Sequence, residues 1–137
     1  MKKVLIALAG LAIVVVNASA QITSQGKPHV LRSFRMGVCK LIDTNGSITI
    51  EAQTRESVNY NLIIHLGTPE EAEATLSSLA EYKPAKGEIV NLNNPGGNTA
   101  HFQKLNGVWV IEEIIGKYFS IAISRGDLRK MVEALNN

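Results

Sequence analysis

The sequence predicts an α+β protein: an antiparallel sheet of about six or seven strands built from hairpins, with two helices packed on one face. Three observations carry this reading. Two Asn-Gly pairs, Asn45-Gly46 and Asn106-Gly107, each separate short runs rich in β-branched and aromatic residues, as a tight hairpin requires. Two boxes, Thr68-Pro69-Glu70-Glu71 and Ser124-Arg125-Gly126-Asp127, each open a stretch whose apolar residues recur at helical spacing. Composition is that of an ordinary globular chain, 45% hydrophobic and 19% charged.

The chain begins with a segment that does not belong to the fold. Met1-Lys2-Lys3 is a short basic start, Val4 to Val16 is apolar or Gly throughout, and Ala18-Ser19-Ala20 is a small-x-small cleavage site. Residues 1–20 therefore read as a bacterial-type signal peptide, cleaved after Ala20, and the expected location is the periplasm or the medium. The apolar run is too short to cross ~30 Å of hydrocarbon, and no later stretch approaches ~20 apolar residues. Removing 20 of 137 residues leaves 117, a length suited to one domain with a core of its own. Of 14 Lys and Arg, Lys2 and Lys3 go with the leader, so 12 basic residues balance 12 acidic ones. A neutral mature chain argues against nucleic acid and against an anionic membrane surface as partners. The single cysteine, Cys39, makes no intramolecular disulfide, so packing alone holds the domain unless Cys39 pairs with another chain.

Residues 21–30 are polar and contain Gly26 and Pro28, which predicts a flexible lead-in with order beginning near Leu31 and a single domain over 31–137. Ser33 to Asp43 and Ile48 to Thr54 read as two strands around Asn45-Gly46. In that register Leu41 faces Ile50, Cys39 faces Ala52 and Lys40 faces Glu51, so Cys39 falls on the apolar side as a small core residue. Tyr60 to Leu66 is the next strand. Thr68 then caps a helix with Pro69 in its first turn and Glu71 completing a capping box; Ala72, Thr75, Leu76 and Leu79 form its buried stripe, and Pro84 ends it. Gly87 to Leu92 is a short strand, and Asn93-Asn94-Pro95-Gly96-Gly97-Asn98 is a loop. Thr99 to Leu105 and Val108 to Ile114 form a second hairpin, in which a two-residue turn places Phe102 opposite Ile111, Lys104 opposite Trp109 and His101 opposite Glu112. Lys117 to Ile123 is a further strand, and Leu128, Met131, Val132 and Leu135 are the stripe of a last helix capped by Ser124. Each half thus reads as Asn-Gly hairpin, strand and capped helix, which makes an internal repeat a candidate.

Few residues suggest chemistry. Cys39 with His65 or His101 has the composition of a thiol nucleophile and base, but no local motif surrounds it. His29, His65 and His101 are too scattered for a metal site, and no cofactor motif is present. His101 with Glu112 is a cross-strand pair able to respond to pH. Trp109, edged by Lys104, is a stacking platform or a core residue. Pro95-Gly96-Gly97 lacks the lysine and helix of a phosphate cradle, yet a loop on a rigid sheet is a place for partner contact. Leu105, Val108, Val110 and Ile114 fall opposite the side carrying Phe102, Trp109 and Ile111, which predicts apolar sheet surface covered by a second sheet layer, a twin subunit, a partner protein or an apolar ligand.

The expected function is a non-catalytic exported binding or interaction module that uses His101, Glu112, Trp109, Lys104, Pro95, Gly96 and Gly97. Two alternatives stand beside it. One is a small exported hydrolase or thiol enzyme using Cys39, or His101 with Glu112; the other is a carrier of an apolar small molecule.

Overall fold

The computed structural model describes residues 22–24, 26–113 and 117–137; the expected leader over 1–20, with its expected cleavage site, lies outside the described residues, as does Ile114. In chain order the elements are β1 (Pro28–Phe34), a 3-10 turn (Arg35–Gly37), β2 (Cys39–Thr44), β3 (Ser47–Gln53), β4 (Asn61–Gly67), α1 (Pro69–Glu81), β5 (Ile89–Asn91), β6 (Thr99–Gln103), β7 (Val108–Glu112), β8 (Ile123–Ser124) and α2 (Arg125–Leu135). The class is α+β, but the strands form two antiparallel sheets of four, β1-β2-β3-β4 and β5-β6-β7-β8, in place of one sheet of six or seven. Each half is a four-stranded meander followed by a helix, so both halves share one order of elements.

The N-terminal region departs from expectation. Strand β1 starts at Pro28, inside the supposed lead-in, and Ser33 to Asp43 is two strands instead of one. Arg35, Met36 and Gly37 have φ of 52°, 59° and 91°, and this left-handed run turns the chain so that β1 pairs antiparallel with β2. For residues with a Cβ such backbone costs about 1–2 kcal/mol each. An ion pair from Arg35 to Asp127 of α2, at 3.4 Å, ties the turn to the last helix.

Strands β2 and β3 pair in the expected register, with Cys39 opposite Ala52, Lys40 opposite Glu51 and Leu41 opposite Ile50. Asn45 and Gly46 both have positive φ, as the two-residue turn demands, and Asp43 Oδ1 accepts the Gly46 N–H at 2.7 Å. The second hairpin does not follow the first. Gly107 N–H donates to the Gln103 carbonyl at 2.8 Å, so the loop spans Lys104 to Gly107 and closes like one turn of helix, with Gly107 alone at positive φ. Its register moves by two residues: Ala100 faces Ile111, His101 faces Val110 and Phe102 faces Trp109. A shift of two keeps every side chain on its expected face, because faces alternate with period two.

Both helices start on complete capping boxes. Thr68 Oγ1 accepts the Glu71 N–H and Glu71 Oε1 accepts the Thr68 N–H; Ser124 and Asp127 make the same exchange. These exchanges satisfy N–H groups that a helix start leaves without partners. Ala72, Leu76 and Leu79 of α1 and Leu128 and Met131 of α2 join one core with Leu41, Ile50 and Ile64 of the first sheet and Trp109, Ile111 and Ile123 of the second.

Main-chain bonds join the sheets. Residues 118–121 lie between β7 and the run that continues β3: Ser120 N–H donates to Ile111 O at 2.8 Å and Glu113 N–H to Tyr118 O at 3.1 Å on one side. On the other, Arg55 N–H donates to Phe119 O and Ile121 N–H to Gln53 O, both at 2.9 Å. Ser120 is fully buried, and its hydroxyl accepts the Ile111 N–H at 2.9 Å while donating to the Ile121 carbonyl at 2.8 Å. The expected strand Lys117 to Ile123 is therefore realised as bridges at Phe119 and Ser120 followed by β8, with a one-residue slip against β7 between them.

The left-handed turn generates a test. The Met36 side chain is fully exposed, so Met36→Gly removes steric cost without removing packing. Part of that gain is offset by glycine's greater freedom in the unfolded chain, and the expected result is stabilisation by about 0.5–1 kcal/mol. Urea unfolding of the two proteins measures it; equal or lower stability of the variant contradicts the strain assigned to this turn.

Candidate functional site

The Pro-Gly-Gly segment closes a second seam between the sheets, and it does so through two buried asparagines. Asn94 Nδ2 donates to the His65 carbonyl of β4 at 2.7 Å and to Asn98 Oδ1 at 2.9 Å. Asn94 Oδ1 accepts the Asn98 N–H at 2.9 Å, and Asn98 Nδ2 reaches the Glu112 carbonyl of β7 at 3.0 Å. One amide pair thereby connects a strand of each sheet. Burial without these partners is costly, so the four bonds are what permit two polar side chains to sit in the interior.

Gly96 is fixed by the same contacts. A Cβ at this position lies 2.7 Å from Asn98 Oδ1 and 3.3 Å from Asn94 Nδ2, where no side chain fits. Gly97 supplies a φ of 66°, and its N–H donates back to the Asn94 carbonyl at 2.9 Å. Pro95 stands on the outer side and forms the rim of a cleft.

That cleft runs between α1 and β5 and has a volume of about 460 Å³. Leu66, Leu79 and Leu92 supply its apolar lining; Ala74, Thr75, Ser78 and Tyr82 form the helix wall, and Val90 to Pro95 the opposite one. Glu71 is the one charged residue in the lining, and it is anchored by its capping bond. At the far end the Tyr82 hydroxyl donates to the Glu88 carboxylate, whose other oxygen accepts the Ala85 N–H at 2.9 Å. The hydrogen bond to Glu88 raises the Tyr82 phenol above its ordinary value, and the same bond, with that from Ala85, holds Glu88 below the usual carboxylate range. Sequence reasoning placed Pro95 at a contact surface but did not find the helix wall. Thr75, expected in the buried stripe of the helix, is half-buried in the cleft wall instead, and Ala74 and Ser78 carry no signal beyond being small.

The other expected site residues separate. His101 Nε2 does contact Glu112 Oε1, at 2.8 Å, but diagonally across the ladder, and Thr99 Oγ1 donates to the same oxygen at 3.3 Å. Phe119 meets the imidazole edge to face at 5.2 Å, and Arg55 lies over Phe119 at 4.3 Å. Trp109 is not a platform. It is fully buried, packed against Phe102 at 5.0 Å, with the Arg125 guanidinium 5.9 Å from its ring. Arg125 also donates to the Ala80 carbonyl at 2.7 Å, which ties the end of α1 to the start of α2. Lys104 does not face Trp109; the four-residue loop carries it away into solvent. Val108 and Val110, expected as uncovered sheet surface, are buried within the chain, and Leu105 alone of the described members of that set is exposed.

Cys39 occupies the core position expected of it, 2% exposed. Burial pushes its thiol up to about 12, Asp127 adds to the rise, and Arg35 opposes it. A thiol so placed is not ionised near neutral pH, and thiolate is the reactive form. Among the described residues no three His, Cys, Asp or Glu side chains gather as a metal site, and no helix is long and apolar enough to cross a membrane.

Comparison of the chain with family models, with curated proteins and with solved structures found no match.

Two outcomes follow from this geometry. Asn94→Ala leaves the His65 carbonyl unpaired at a buried seam and is expected to cost about 1–3 kcal/mol in urea unfolding, and Gly96→Ala at least as much. A loss below ~0.5 kcal/mol for both removes the clasp from the account of stability. Cys39, for its part, is expected to resist Ellman's reagent at pH 8 in the folded protein and to react at once in urea; rapid labelling of the folded chain contradicts its assigned burial.

Proposed function

We propose that the protein is an exported, non-catalytic binding module whose ligand lies in the cleft between α1 and β5. The observation that carries this reading is the cleft itself: about 460 Å³, within the ~300–1,000 Å³ usual for ligand sites, with apolar residues beneath and polar groups along both walls. Its walls are fixed by the capping box and the asparagine clasp at one end and by the Tyr82–Glu88 hydrogen bond at the other, so the site needs little ordering before a ligand enters. The leader over residues 1–20 supports export to the periplasm or the medium.

The enzyme reading finds less support. Buried, protonated Cys39 lacks the exposure of a nucleophile, and the His101–Glu112 pair lies on the second sheet, among residues that do not line the cleft. A carrier of a purely apolar molecule leaves Thr75, Ser78, Asn91 and Asn93 without use. A partner or second copy on the apolar sheet face loses its basis with the burial of Val108 and Val110.

Native mass spectrometry of the chain recovered through its own export route tests the reading. A chain starting at Gln21 and carrying bound mass is expected, and Ser78→Trp, which fills the cleft from an exposed helix position, is expected to lose it. Bound mass that survives Ser78→Trp places the ligand elsewhere and overturns the assignment of the cleft.

A further inference from the structure

We infer that the cleft takes an extended polypeptide segment, uncharged or basic in its side chains, which adds to the free edge of β5. This rests on the reading of the cleft as the ligand site and names the class of ligand.

The edge is the first ground. β5 ends the second sheet, with β6 on one side and, among the described residues, no strand on the other. Val90 pairs with Ala100, and Leu92 N–H donates to the Asn98 carbonyl at 3.1 Å. Hydrogen-bonded pairs alternate along an antiparallel ladder, so Val90 and Leu92 direct their backbone groups to β6, while Ile89 and Asn91 turn theirs to the open side. Asn91 lines the cleft. A row of free N–H and C=O groups is matched by another extended backbone, which brings the complementary row at the same spacing.

Shape and charge are the second and third grounds. The helix wall, thirteen residues of α1, is about 20 Å long, the span of about six residues of extended chain. Ala74, Thr75 and Ser78 keep that wall low, which leaves depth for the side chains of an added strand. No Lys, Arg or His lines the cleft, and the one charge in its lining is the Glu71 carboxylate at one end. A lining whose one charge is negative favours a basic or neutral segment and opposes an acidic one.

The test titrates the isotope-labelled exported chain with a blocked peptide of alternating Val and Thr flanked by Lys. Two controls are the same peptide N-methylated at alternate backbone nitrogens and one with Glu in place of Lys. The expected result is slowed hydrogen exchange at the Ile89 and Asn91 amides with shifts at Thr75 and Ser78, and at least tenfold weaker binding of each control. Equal binding of the N-methylated peptide, or shifts remote from β5, overturns strand addition while leaving the cleft as a ligand site. If no peptide binds but the neutral dye Nile red shifts Thr75 and Ser78, the inference again fails and the cleft reading stands. No response to either probe overturns both. Protection of the Ile89 and Asn91 amides that grows with protein concentration alone assigns the edge to a second copy and also overturns the inference.

Discussion

The rest of the molecule depends on a short main-chain junction: residues 118–121, bonded on one side to β7 and on the other to the end of β3. Without it the chain is two small meanders, each with one face to bury and one helix to bury it, and a four-stranded sheet under a single helix has little interior. With it, the inner faces of both sheets and both helices meet in one core that contains Trp109, Leu128 and Met131 as well as Leu41, Ile50 and Ile64. Ser120 shows what the junction demands. It is fully buried, so its hydroxyl both donates and accepts with neighbouring backbone groups.

The elements that were legible in the sequence are those governed by residues close together. The capping boxes at Thr68 and Ser124 and the Asn45-Gly46 turn each rest on contacts within about four positions, and the structure reproduces them bond for bond. Asn106-Gly107 has the same dipeptide but a different loop. Its flanking Leu105 leaves the sheet instead of pairing, so the turn grows to four residues and the register moves. The turn at Arg35 and Met36 was illegible for a different reason: neither residue favours left-handed backbone, and the contacts around it, Arg35 with Asp127 and Val38 O with the Gln53 N–H, come from parts of the chain distant in sequence. The two-sheet arrangement was hidden in the same way, since Gln53 and Ile121 meet only in the folded chain.

The candidate site divides similarly. Pro95, Gly96 and Gly97 stood out as turn formers, and they do form a turn, but the polar residues beside them matter as much. Asn94 and Asn98 are ordinary loop residues by composition; their burial follows from the approach of β4 and β7, which local pattern does not encode. The helix wall was readable as a helix and unreadable as a wall. Ala74, Thr75 and Ser78 acquire meaning only once β5 lies across from them. The loop therefore has two roles at once, closing a seam between sheets on its inner side and bounding the cleft on its outer side.

The order of the junction along the chain bears on how the protein folds as it is made. A polypeptide leaves the ribosome N-terminus first, and here β1 to β4 and α1 emerge complete while the end of β3 still lacks its neighbour, which lies more than sixty residues behind. The leading half therefore emerges with part of its core open, and the last segment to arrive both fills the gap beside β3 and delivers the helix whose Asp127 pairs with Arg35 of the first turn. No fragment lacking the C-terminal third contains a finished interior.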